Sequence, residues 1–160
     1  FRDALFPDLP PAKRLEVLDA CMVYENHYLE DHPGILYPQV AEVLQQLSWK
    51  YKLFIVSNCQ KGYIEVLMRS CNLEEYITDI ECYGNTGLSK ADNISMVIQR
   101  NHLDQSFYVG DTAMDAEAAA GAGIPFVHAA YGFGQVNGAE AVIREFGELL
   151  QLSKKLLGED

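Results

Sequence analysis

Apolar positions along the chain recur with two different spacings. Over residues 12–30, AKRLEVLDACMVYENHYLE, Leu15, Leu18, Met22 and Leu29 stand near helical spacing behind a Pro-Pro start, which predicts a helix. HPG at 32–34 breaks it and reads as a hinge. A second helix is predicted from Pro38 to Leu47, with Val40, Val43, Leu44 and Leu47 on one face. KLFIVS follows as a short β-rich run without alternation, the pattern of a strand covered on both faces.

The alternation then repeats. A helix carrying Ile64, Leu67, Met68 and Cys71 leads to TDIECY, a strand, and GNTGL reads as a turn. Residues 91–101 predict a helix through Ile94, Val97 and Ile98, then FYVG a strand. DAEAAAGA reads as a small-residue helix, PFVHA as a strand, and the last helix is predicted from Ala139 to Leu157. Strands alternating with helices call for an α/β fold, doubly wound around a mostly parallel sheet. The first 35 residues are helical without a strand and look like a different piece from the rest. No internal repeat or low-complexity segment occurs.

Composition narrows the picture. With 160 residues and 49% hydrophobic ones, the chain can bury a core without staples. No run of eighteen apolar residues occurs, so no membrane partner is expected. Twelve basic against twenty-three acidic side chains give a net charge of −11, which disfavours nucleic acid and anionic lipid. A small phosphorylated substrate stays open, because a metal ion and one lysine can reverse the sign inside a pocket. Cys21, Cys59, Cys71 and Cys82 form no C-x-x-C pair and read as buried, reduced thiols of a cytoplasmic protein. The N-terminus FRDALFPDLPP lacks the pattern of a signal peptide and an initiator methionine, so the chain is expected to start inside a longer protein.

In open α/β sheets, ligands bind beyond the carboxyl ends of the strands. Those ends are Ser57 and Asn58 after FIV, the GNTGLSK loop, and Asp111 after FYVG. Ser57 offers a hydroxyl and an opening helix that favours an anion, or it is a plain N-cap. Lys90 opposes the dipole of the helix that it opens, so its place there needs another reason. In GDTAMD, Gly110 is expected to let the backbone turn tightly, with Asp115 one helical turn after Asp111. Two carboxylates so close need a cation or another offset, and an oxygen-only set suits Mg²⁺. The competing reading makes Asp111 or Thr112 a cap and Asp115 an ordinary first-turn acid.

FIVSN, Lys90 and VGDTAMD together resemble motifs two, three and four of the haloacid dehalogenase superfamily, mostly Mg²⁺-dependent phosphohydrolases. LYPQVAEVLQQL is similar to the helix that re-enters the core after the cap, and AAYGFG to the glycine loop after the last core strand. The phosphoglycolate phosphatase and β-phosphoglucomutase branch is the nearest in pattern. That resemblance implies a helical-cap remnant over residues 1–32 and an α/β core over 33–160. It implies that Ser57 and the backbone of Asn58 bind the phosphoryl group, and that Lys90 neutralises charge on it. Asp111 would bind Mg²⁺, and Asp115 would support the metal or hold the loop.

The chain departs from the pattern in two places. It has no D-x-D, the motif that carries the nucleophilic aspartate on the central strand, and Lys90 is followed by Ala91-Asp92 where many relatives have proline. The expectation is that a preceding segment or a second chain supplies the strand and that these 160 residues alone are inactive. The alternatives are a sugar phosphomutase and a non-catalytic binding or regulatory module. A phosphoacceptor receiver would place its lysine after the acidic pair, and GFGQVNG lies too late in the chain for a dinucleotide fingerprint. The cap would choose the substrate, and His27, Tyr28 and His32 either face that cleft or decorate the helix.

Overall fold

The computed structural model describes residues 6–158. Helix α1, Pro11–Asp31, starts behind Pro10 and runs for 21 residues. Its Leu18, Met22 and Leu29 are half-buried and Leu15 is exposed, and no residue of α1 is fully buried. α1 lies against α3, Tyr63–Ser70. Polar side chains hold α1 to α3 and to the loop before it: Asn26 Nδ2 donates to the Lys61 carbonyl at 2.9 Å, Gln60 Nε2 to Glu25 at 2.7 Å, and Arg69 of α3 to Glu30 at 3.2 Å.

Helix α2, Val40–Ser48, buries Val43 and Leu47, as its apolar stripe predicts. Strand β1, Phe54–Ser57, pairs in parallel with β2, Asp79–Cys82, setting Ser57 opposite Cys82. A short 3-10 turn at Glu74–Tyr76 precedes β2, and a single helical turn, α4, Tyr83–Thr86, follows it. Helix α5 is Lys90–Arg100, strand β3 Tyr108–Gly110, helix α6 Ala113–Gly121 and strand β4 Phe126–Ala129. β4 lies between β3 and β5, Ala141–Ile143, both parallel to it. A 3-10 turn at Phe146–Glu148 leads into α7, Leu149–Leu156.

Helices cover both faces of the strands. Val43, Leu47, Val127, Ala129, Ile143 and Leu149 join α2 and α7 to β4 and β5, and Val56, Ile94, Val97 and Ala118 join α5 and α6 to β1. This is the α/β arrangement that the alternation calls for. The strands form two hydrogen-bonded groups, β1–β2 and β3–β4–β5, with no backbone ladder between β1 and β3. The Tyr108 hydroxyl of β3 donates instead to the Val56 carbonyl of β1 at 2.8 Å.

Three local expectations are corrected. The stretch 139–157 is not one helix: Ala141–Ile143 pairs with the open edge of β4, and only Leu149–Leu156 is α-helical at the end. Adjacent β-branched Val142 and Ile143 fit that edge, and tertiary pairing overrides the helix-forming neighbours. GNTGL is not wholly turn, since Tyr83–Thr86 makes a helical turn closed by Gly87 at φ 69°. Of the four free cysteines, Cys82 alone is buried, while Cys59 and Cys71 are half-buried and Cys21 is exposed.

Candidate functional site

The candidates gather at or just beyond the carboxyl ends of β1, β2 and β3: Ser57 closes β1, Lys90 opens α5 after β2, Asp111 follows β3 and Asp115 lies in the first turn of α6. Ser57 closes β1, but α3 starts only at Tyr63, with Gly62 as its N-cap in a left-handed conformation (φ 87°). Ser57 is therefore not a helix cap, and residues 58–62 form a loop. That loop is fixed from outside. The Gly84 N–H donates to the Cys59 carbonyl at 3.0 Å. A Cβ on Gly84 would fall on Lys61 N and lie 2.5 Å from the Gln60 carbonyl carbon, so only glycine allows α4 to come this close. Burial pushes the Cys59 thiol up, against a smaller lowering by the Ser57 hydroxyl. Asn58 is exposed at the strand end.

Lys90 opens α5 beside the cap Ser89, whose hydroxyl accepts from Asp92 N. Its ammonium reaches Asp115 Oδ1 at 2.5 Å and stands 5.9 Å from the Tyr108 ring centroid. A buried carboxylate thus supplies the reason for a lysine at an unfavourable helix end.

Asp115 belongs to a capping box: Thr112 Oγ1 accepts from Asp115 N, and Asp115 Oδ2 accepts from the N–H groups of Thr112 and Asp111 at 3.1 and 3.2 Å. The Thr112 hydroxyl donates to the same oxygen at 2.7 Å. Burial pushes the Asp115 carboxyl up, but hydrogen bonds from Lys90 and Thr112 outweigh it and leave it below the ordinary value. Both of its oxygens are engaged by protein donors. Gly110 is needed here for close approach and not for a turn, since its φ is not positive and its Cβ would lie 2.5 Å from Asp115 Cβ.

Asp111 is different. The Phe133 N–H donates to its Oδ2 at 2.8 Å, and among the described residues no donor takes Oδ1. The glycine loop wraps it: Gly134 N–H donates to the Asp111 carbonyl at 3.1 Å, and a Cβ on Gly132 would fall on the Asp111 side chain. Tyr131 in that loop meets Tyr37 edge-on at 5.1 Å, and burial, Tyr37 and Asp111 in turn raise its phenol. Tyr108 is raised by burial and then by Asp115 and Asp111.

The structure therefore joins Lys90, Asp115 and Asp111 in one cluster. Ser57 connects to it through Val56 and the Tyr108 hydroxyl. Thr112 of GDTAMD and Phe133 of AAYGFG complete the cluster with Tyr108 and His128, which bonds the Gly134 carbonyl and, like Tyr108, carries no motif signal of its own. Among the described residues, no three His, Cys, Asp or Glu side chains are grouped so that they could hold a metal ion. His27 stands 3.7 Å from Glu30, and Tyr28 stacks on the C-cap His32 at 4.2 Å, all at exposed positions of α1 or its cap.

Fold and cluster define a doubly wound α/β protein with a lysine–aspartate site at its strand ends. The chain belongs to the haloacid dehalogenase-like hydrolase family, whose model matches residues 7–129. A phosphoglycolate phosphatase of Cupriavidus necator is 28% identical over 82% of this chain and 60% of its own length. A phosphoglycolate phosphatase of Shigella boydii is 25% identical over 92% and 56%. The chain thus spans little more than half the length of these curated relatives. CbbY from Rhodobacter sphaeroides in complex with phosphate shares the fold, with a TM-score of 0.75 at 19% identity over 88% of this chain and 67% of that one. A haloacid dehalogenase-like hydrolase of Streptococcus pneumoniae does so with 0.74 at 21% identity over 95% and 75%. Among the described residues, no helix is long and apolar enough to cross a membrane.

Proposed function

We propose that the protein containing this chain is a Mg²⁺-dependent phosphohydrolase acting on a small phosphorylated metabolite through an aspartyl phosphate. The observation that carries this reading is the Lys90–Asp115 ion pair beside an Asp111 carboxylate with one oxygen left without a protein donor. Phosphoryl transfer depends on positioning and charge neutralisation, and these residues offer both. The two phosphoglycolate phosphatase relatives support the same class of substrate.

The donor set fits the cation. A hard ion that prefers oxygen would be held by Asp111 Oδ1, while Asp115, occupied by Lys90 and the Thr112 cap, keeps the loop in place. Held there, Mg²⁺ would supply positive charge that offsets the charge of the phosphoryl group. Lys90 adds a second charge, and the Ser57 hydroxyl and Asn58 N–H orient the phosphoryl group.

The nucleophilic aspartate lies in this reading on a segment outside the 160 residues, either upstream or on a second chain. The absence of D-x-D and the unladdered edges of β1 and β3 support that placement. Residues 1–32 are then the end of a helical cap and 33–160 the core. Four free cysteines agree with a reducing, cytoplasmic setting.

The test is phosphate release from a panel of phosphorylated small metabolites by the full-length protein, with Mg²⁺ or EDTA, beside Asp111→Ala. Activity that survives the substitution sinks the metal assignment. Isomerised sugar phosphate in place of free phosphate makes the protein a mutase. No turnover, together with no D-x-D upstream, leaves a binding module.

A further inference from the structure

His128 is 6% exposed in the middle of β4, opposite Gly110 of β3 and Val142 of β5. Val127 and Ala129 pack among α2 and α7, so alternation puts His128 on the other face. There its Nε2 lies 3.2 Å from the Gly134 carbonyl. A carbonyl only accepts, so Nε2 carries the proton. Gly134 is the end of the loop that encloses Asp111: its N–H donates to the Asp111 carbonyl, and the preceding Phe133 N–H donates to Asp111 Oδ2 at 2.8 Å. Phe133 itself is 95% exposed, so packing of its side chain does not anchor the loop.

Two hydrogen bonds joined by the backbone of residues 133–134 thus link a buried strand to one oxygen of the candidate cation ligand. A carboxylate free to rotate about its terminal torsion offers either oxygen, or both. One pinned by a donor offers a single, fixed oxygen, and partners of this outer kind tune metal affinity strongly.

We propose that His128 is a positioning residue: by holding Gly134 it keeps the Phe133 N–H on Asp111 Oδ2, so that Oδ1 faces the cation in a fixed direction. The inference rests on Asp111 being the cation ligand.

The experiment measures Mn²⁺ binding to the full-length protein by electron paramagnetic resonance, with amide exchange at Phe133 in the metal-free protein as the second readout. His128→Gln keeps a donor at the position of Nε2, whereas His128→Leu removes it and His128→Asn is too short to reach. Leu and Asn are expected to weaken Mn²⁺ binding about 10- to 100-fold and to speed exchange at Phe133, while Gln stays close to wild type in both. Should Leu prove too unstable to purify, the Gln and Asn pair carries the comparison. Wild-type affinity and protection in the Asn or Leu variant overturn the role of His128 and leave the cation reading intact. A Gln variant as weak as Asn overturns it too, because burial rather than the donor then matters. Wild-type protein that binds no Mn²⁺ overturns the cation reading, and this inference with it.

Discussion

Lys90 and Asp115 are 25 positions apart and meet at 2.5 Å, with side chains only 15% and 8% exposed. The pair closes α5 onto α6 and keeps one positive charge at the strand ends of a chain whose net charge is −11. Breaking a buried pair leaves an uncompensated charge, which costs more than the pair contributes.

Lys90→Met is therefore expected to destabilise the protein by about 3 kcal/mol, the low end for a broken buried pair, because Asp115 keeps its Thr112 and Asp111 donors. Urea unfolding measures this. Phosphate release is expected to fall by about 10²-fold or more. A variant with unchanged turnover removes Lys90 from the site.

Acid should expose the same pair. Asp115, Asp79 and Glu81 all lie below their ordinary values of 3.8, 3.8 and 4.5. Burial pushes each up, but hydrogen bonds from Lys90 in the first case and from Arg100 in the other two prevail. A folded pKa below the unfolded one contributes stability that is complete above the unfolded value and lost as pH falls through the folded one. These three carboxyls thus contribute a constant amount above about pH 5 and a declining one below about pH 4. Urea titrations across that window should show the decline, and Lys90→Met should make it shallower. An identical acid limb in the variant rules out Asp115 as a contributor.

Gly84→Ala tests the support of the Ser57 loop. Its Cβ would fall on Lys61 N, so the loop must shift, at about 1–3 kcal/mol and with a raised KM for the phosphorylated substrate. Gly87→Ala is the comparison: nothing lies within 4 Å of its Cβ, and only the positive φ of 69° opposes it. Unfolding and steady-state kinetics on both variants separate crowding from backbone strain. Equal effects on KM would show that the approach of α4 does not shape the loop.

Much of this was readable from the chain. The stripes Val43/Leu47 and Ile94/Val97 placed α2 and α5 correctly, since burial there follows helical period. The apolar runs FIVS and FVHA placed β1 and β4. Strand β5 was hidden because Ala141–Ile143 sits among glutamates and an arginine that favour helix, and only the free edge of β4 decides the matter. At the site, GDTAMD by itself showed two carboxylates, and only the family resemblance divided their labour. Asp115 takes the cap and the lysine because Gly110 lets it sit against the strand end, which leaves Asp111 with a free oxygen. His128 left no trace, since one histidine in an apolar run reads as strand filling and its partner is a backbone carbonyl six residues on.

Helix α1 leans on α3 through amide and ionic side chains and encloses no residue of its own. Its outward positions can therefore be rewritten by mutation at almost no cost to the rest of the molecule. The strand ends are constrained by one another, whereas the exposed positions of α1 are free to diversify.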